Sequence, residues 1–142
     1  MLRLREVAES LRRLDWRSLE AEWVVVFGSL AERGEGRDVD LLVKHRGGKG
    51  GSEWRIRVVT AVADALGIDY SLVDVVEAEP DTPCPIIRSA WRRGVIVYEE
   101  EKGAAKEWLL RRVMICWDYE IAAKKLRLVE TAVEAARRRW RG

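Results

Sequence analysis

The spacing of apolar positions changes along the chain, and each change marks an element. Leu4, Val7, Ala8, Leu11 and Leu14 recur at threes and fours, which predicts an amphipathic helix from Leu2 to about Leu14. Trp23-Val24-Val25-Val26-Phe27 is short, β-branched and aromatic, and Gly28-Ser29 stops it. That is the pattern of a buried strand. Arg33 to Arg37 contains two glycines and reads as a turn. Val39, Leu41 and Val43 then alternate with Asp38, Asp40, Leu42 and Lys44, a strand with one face to the core and one carrying carboxylates. His45 to Ser52 holds four glycines and reads as a loop. Ser52 is placed to cap a helix from Glu53 to about Leu66, which Gly67 ends. Tyr70 to Glu77 predicts a third strand. Pro80, Pro83 and Pro85 mark a loop before a short helix from about Ile86 to Arg93, and Val95-Ile96-Val97-Tyr98 a fourth strand after Gly94.

The expected fold is α/β of the α+β kind: a mixed four-stranded sheet with covering helices. A long helical segment follows it, since Ala104 to Arg141 contains neither Gly nor Pro. As one helix it would run about 55 Å at 1.5 Å per residue, longer than a small domain is wide. Tyr119, Ala122, Leu126, Val129, Val133, Ala136 and Trp140 keep three–four spacing, and Trp108 and Ile115 extend the stripe upstream. Leu110, Met114, Trp117, Ile121 and Leu128 form a second stripe. Two readings stand. The segment packs on its own domain, broken into a hairpin if need be, or its far half buries the stripe against another chain. The expected division is a domain over residues 1–100 and a helical extension over 101–142.

Composition narrows the function classes. The 142 residues are 35% charged, yet the net charge is only +2. That balance argues against bulk nucleic-acid binding. No apolar run reaches the roughly 18 residues a membrane span needs, and the N-terminus lacks a signal peptide's apolar centre. A cytoplasmic protein is expected. Cys84 and Cys116 fit neither a disulfide framework nor a zinc cluster, and read as free thiols. His45, the one histidine, reads as solvated rather than catalytic. The chain has no Asn or Gln and is rich in Arg, which fits a thermophile or a GC-rich genome. Arg137, Arg138, Arg139 and Arg141 read as cations complementing the dipole of a last helical turn rather than as an RNA site.

The chemistry concentrates between Phe27 and Val43. Gly28-Ser29 stands at a strand end, and Asp38-x-Asp40 opens the next strand. Residues two apart on a strand share a face, so these carboxylates would repel unless a hard cation lay between them. Mg²⁺ is held by one or two carboxylates plus substrate phosphates. Gly28 lets backbone approach a phosphate, and Ser29 adds a hydroxyl at the start of a helical turn. Asp74 lies inside the apolar run Leu72-Val73-Asp74-Val75-Val76. A charge there needs a reason, and a third metal ligand is one. Asp69, at the strand entrance, is the weaker candidate because a turn role suffices for it.

Gly28-Ser29, a short variable stretch and Asp38-x-Asp40 together resemble the nucleotidyltransferase signature of the DNA polymerase β superfamily. Chain length, strand order and an Asp in a later apolar strand resemble its minimal, single-domain branch, over roughly Glu22 to Glu99. The resemblance implies that Gly28 and Ser29 hold a nucleoside triphosphate, and that Asp38, Asp40 and Asp74 bind Mg²⁺. Asp74 would also act as general base. It further implies transfer of a nucleoside monophosphate, AMP from ATP, to a protein acceptor. Members of this branch are often antitoxins paired with a helical RNase toxin of the HEPN class, and some modify a tyrosine of that partner. The exposed stripe offers such a partner a place, or serves a homodimer. The competing expectation is an interaction module with a weak site that neutralises its partner by contact. A template-dependent polymerase is disfavoured, because no second domain is present to hold nucleic acid.

Overall fold

The computed structural model describes residues 1–141; of Arg141, a member of the terminal basic cluster, the side chain lies outside the described residues. In chain order the elements are β1 (Leu2–Arg3), α1 (Leu4–Arg12), β2 (Ala21–Phe27), α2 (Gly28–Arg33), β3 (Glu35–Gly36), β4 (Val39–His45), α3 (Gly51–Leu66), β5 (Val73–Glu77), α4 (Cys84–Arg93), β6 (Val95–Glu99) and α5 (Ala104–Arg141). The main sheet has the order β5-β4-β2-β6. Only β4 and β5 are parallel, with α3 as their crossover.

The sheet is covered on both faces, which is why β2 reads as an unbroken apolar run. Val24 and Val26 point into a core shared with Val7, Leu11, Trp16, Trp54, Val58 and Val62 of the α1–α3 side. Trp23, Val25 and Phe27 point the other way, into a core with Ile87, Ala90, Leu109 and Val113 of α4 and α5. The alternation follows the pleat. It also corrects the expected carboxylate face of β4. Leu42, two residues after Asp40, is fully buried under the second helical layer. Asp40, second in the strand and at its open end, is only half-buried. No helix among the described residues is long and apolar enough to cross a membrane.

Four local expectations change. Leu2 and Arg3 are not helical; they pair antiparallel with Gly36 and Glu35, inside the expected turn. Ser52 does not cap α3. The carboxylate of Glu77 accepts from the amides of Gly50 (2.9 Å) and Gly51 (3.1 Å) instead. Only 7% of Glu77 is exposed, and those amides at a helix N-terminus satisfy its charge. Tyr70–Leu72 is a single 3₁₀ turn rather than strand. His45 is not solvated: its side chain is 13% exposed, beside Glu20 at 3.2 Å and edge-on to Trp54. Its Nδ1 accepts from the Gly47 amide at 2.9 Å, so the neutral ring carries its proton on Nε2, toward Glu20.

α5 is one continuous helix and does not fold back as a hairpin. Its core-facing stripe is Ala105, Leu109, Val113 and Cys116, and not either of the two expected stripes. Beyond Cys116 no described residue is buried. The cysteines are not free: Cys84 and Cys116 form a disulfide, with Cα atoms 5.8 Å apart. Sequence spacing concealed this, because only the packing of α5 on α4 brings the two together. One turn further along both helices, Arg88 pairs with Glu120. Each partner has advanced four residues in the same direction, so α4 and α5 run parallel at this contact.

Reduction of the disulfide is expected to lower the melting temperature by about 10 °C. A bridge across 32 positions removes roughly 3–4 kcal/mol of chain freedom from the unfolded state. At this chain size each kcal/mol corresponds to about 3 °C. Circular dichroism melts with and without excess thiol measure it, and equal midpoints would show that the cross-link contributes nothing.

Candidate active site

The site lies where β2 ends and β4 and β5 begin. Phe27 is opposite Asp40, and Asp40 is opposite Asp74. The three residues form one rung across adjacent strands, at about the 4.8 Å spacing of a sheet. Gly28 and Ser29 follow Phe27 directly. Asp38 sits in the bend before β4 rather than on the strand, and is exposed. Asp74 is exposed as well, while Asp40 is half-buried. Burial pushes the Asp40 carboxyl above its ordinary range, and the charges of Asp74 and Asp38 push it further the same way. Asp40 is therefore close enough to both of the others to feel their charge.

Gly28 is required by the fold of this corner. Its φ is +74°, a left-handed value that favours glycine. A Cβ there would also collide with the carboxylate of Asp40. The backbone thus lies directly against the acidic rung. Ser29, the second residue of α2, is exposed on the same corner. Asp69 does what a turn needs: its carboxylate accepts from the Ser71 amide at 2.8 Å and caps the 3₁₀ turn.

Among the described residues, no three His, Cys, Asp or Glu side chains are gathered closely enough to hold a metal ion. The donor set still suits one. Asp38, Asp40 and Asp74 offer only hard carboxylate oxygens, as Mg²⁺ prefers, and Asp40 bears the mutual repulsion a cation would relieve. To share a cation, Asp74 and the bend carrying Asp38 would have to draw in toward Asp40 from their positions here.

The structure adds two residues that sequence reasoning missed. The Gly28 amide donates to Oγ of Ser89 on α4 at 3.2 Å. Ser89 in turn donates to Oε1 of Glu32 on α2 at 3.2 Å. The two line a polar cleft between α2, α4 and α5 with Arg88, Arg92, Trp117 and Glu120. No local signal marks Ser89. It is 61 positions from Gly28 and reads as one polar residue of an amphipathic helix.

No protein-family model and no curated protein matches the chain. Solved structures do share its fold. A tri-AMPylated Shewanella oneidensis HEPN toxin in complex with its MNT antitoxin matches at TM-score 0.60 and 14% identity, over 92% of this chain and 98% of that one. A toxin–antitoxin with AMP-PNP matches at 0.59 and 15%, over 93% and 99%. The toxin–antitoxin MntA-HepT matches at 0.54 and 14%, over 92% and 96%. At such identities the likeness speaks for architecture: over more than nine-tenths of its length the chain shares the fold of the minimal nucleotidyltransferases of these toxin–antitoxin pairs.

Proposed function

We propose that the chain is a Mg²⁺-dependent nucleotidyltransferase that moves AMP from ATP onto a protein acceptor, and that it serves as antitoxin to a HEPN-type helical partner. The observation that carries this reading is the single rung of Asp40 and Asp74, with Gly28-Ser29 beside it and Asp38 within charge range. The solved complexes support it by analogy: in one the toxin is AMPylated, and another holds AMP-PNP.

The residues divide the work as follows. Asp38, Asp40 and Asp74 would hold the cation, which supplies charge neutralisation and electrophilic help to the phosphates when bound. Gly28 leaves room for the triphosphate, and the Ser29 hydroxyl donates to a phosphate oxygen. Asp74, exposed at the edge of the rung, accepts the proton of the attacking hydroxyl. The acceptor oxygen bonds to the α-phosphorus, the α–β bridging bond breaks, and pyrophosphate leaves with that electron pair. The arm of α5 past Cys116, with Leu126, Val129 and Val133 exposed, is where the partner docks.

Titration calorimetry with ATP tests the site. Affinity is expected to fall at least tenfold when Mg²⁺ is replaced by chelator, because three carboxylates then face an anionic ligand alone. Mass spectrometry of a co-purified helical partner after incubation with ATP and Mg²⁺ tests the transfer. AMP on the partner supports the enzyme. A partner that is neutralised and stays unmodified favours inhibition by contact alone.

A further inference from the structure

We infer that Ser89 is a positioning residue for the phosphate-facing turn, with Glu32 fixing the direction of its hydroxyl. The inference rests on the nucleotidyltransferase reading and extends it to a residue outside the signature.

The argument begins with hydrogen-bond direction. A serine hydroxyl has one proton to give and two lone pairs. Glu32, an acceptor when ionised, takes the proton. The lone pairs are then left for the Gly28 amide, which is the donor observed. Without Glu32 the hydroxyl would be free to rotate and present its proton to that amide instead. The carboxylate therefore makes Ser89 an acceptor at the place where one is needed. Gly28 is the first residue of α2, so its amide has no helical carbonyl to meet.

The second part is steric. On its other side Gly28 lies against the Asp40 carboxylate with no space for a Cβ. The turn is held between Ser89 on one side and the acidic rung on the other. Ser29 is exposed and makes no side-chain hydrogen bond among the described residues, so its place depends on Gly28. Freeing the Gly28 amide lets the turn drift and spreads Ser29 over several positions. A ligand must then gather them again, which costs affinity rather than chemistry.

Ser89→Ala, Ser89→Thr, Glu32→Ala and Glu32→Gln test this in the full chain with its partner, using ATP and Mg²⁺. Ser89→Ala is expected to raise KM and the dissociation constant for ATP roughly three- to tenfold, the range of one hydrogen bond, with kcat and the melting temperature nearly unchanged. Ser89→Thr restores the hydroxyl and the affinity. Glu32→Ala follows Ser89→Ala, whereas Glu32→Gln keeps an acceptor oxygen and stays near wild type. Amide hydrogen exchange at Gly28, measured without nucleotide, is expected to speed up in Ser89→Ala and Glu32→Ala alone. If Ser89→Ala binds ATP as wild type does and Gly28 exchange is unchanged, the positioning role is wrong. Tighter binding would overturn it too, by showing that the hydroxyl competes with phosphate for the amide. A wild-type protein that binds no ATP with Mg²⁺ overturns the reading of the whole site, and this role with it.

Discussion

Asp40→Asn is expected to lower nucleotide transfer by about a thousandfold or more, since metal-held charge contributes several kcal/mol to such reactions. The same change should not harm the fold. Asp40 is the half-buried centre of the rung, and its carboxyl is raised by burial and by Asp74 and Asp38. A carboxyl raised in the folded state opposes folding when ionised. Its protonation favours the fold, so the wild type regains stability as pH falls through that raised value toward the unfolded one. Asn keeps the shape without the charge. The variant should therefore melt above the wild type at neutral pH, and the gap should close as the solution is acidified. Mg²⁺ should reverse the order by stabilising the wild type more than Asp40→Asn. Transfer assays and melts on one preparation, across pH and with or without Mg²⁺, decide the matter. Wild-type turnover in the variant would remove Asp40 from the metal ligands.

Leu126→Asp with Val133→Asp is the second large effect. Both side chains are exposed, at 60% and 45%, on a part of α5 where no described residue is buried. Two charges placed in a seam buried between chains cost several kcal/mol, a hundredfold or more in affinity. On the free arm they cost a few tenths each in helix propensity. The expected result is lost partner binding with ATP affinity and melting temperature retained. Sedimentation with a candidate helical partner, beside calorimetry, reads both. Unchanged association would end the role of this stripe as an interface. A homodimer through the same stripe would show as a fall in the mass of the chain alone.

What was legible in the sequence was what neighbours in the chain decide. The β-branched run 23–27, the alternation at 39–43 and the helical character of the segment from Ala104 follow from local period, and the mixed sheet from the order of the elements; whether that last segment is one helix or a hairpin did not show in the sequence. Asp40 could be singled out as half of the Asp38-x-Asp40 pair beside Gly28-Ser29, and Asp74 as a charge in an apolar strand. That they share a rung is a matter of register between β4 and β5, which no local pattern states. The same limit hid the rest. Glu77 caps a helix that begins 26 residues earlier, and it displaced Ser52 because a buried carboxylate needs those amides more than a serine does. Leu2 and Arg3 carry helical spacing, yet pairing with residues 35–36 overrides it. Cys84 with Cys116, and Ser89 with Gly28, exist only once α4 has packed.

The parallel fastening of α4 to α5 has a mechanical consequence. Past Glu120 the helix continues for about 30 Å at 1.5 Å per residue, and it leaves from the level of Ser89, beside the acidic corner. It is a cantilever rooted in the buried stripe Ala105, Leu109, Val113 and Cys116, with the Cys84–Cys116 and Arg88–Glu120 links at the outer end of that root. On a beam of that length, a root tilt of roughly 10° carries the tip about 5 Å sideways, about the spacing between neighbouring strands of the rung. In the proposed complex, the accuracy with which a partner gripped near Val133 is aimed at Asp74 would depend on the stiffness of that root and of the Cys84–Cys116 and Arg88–Glu120 links that close it.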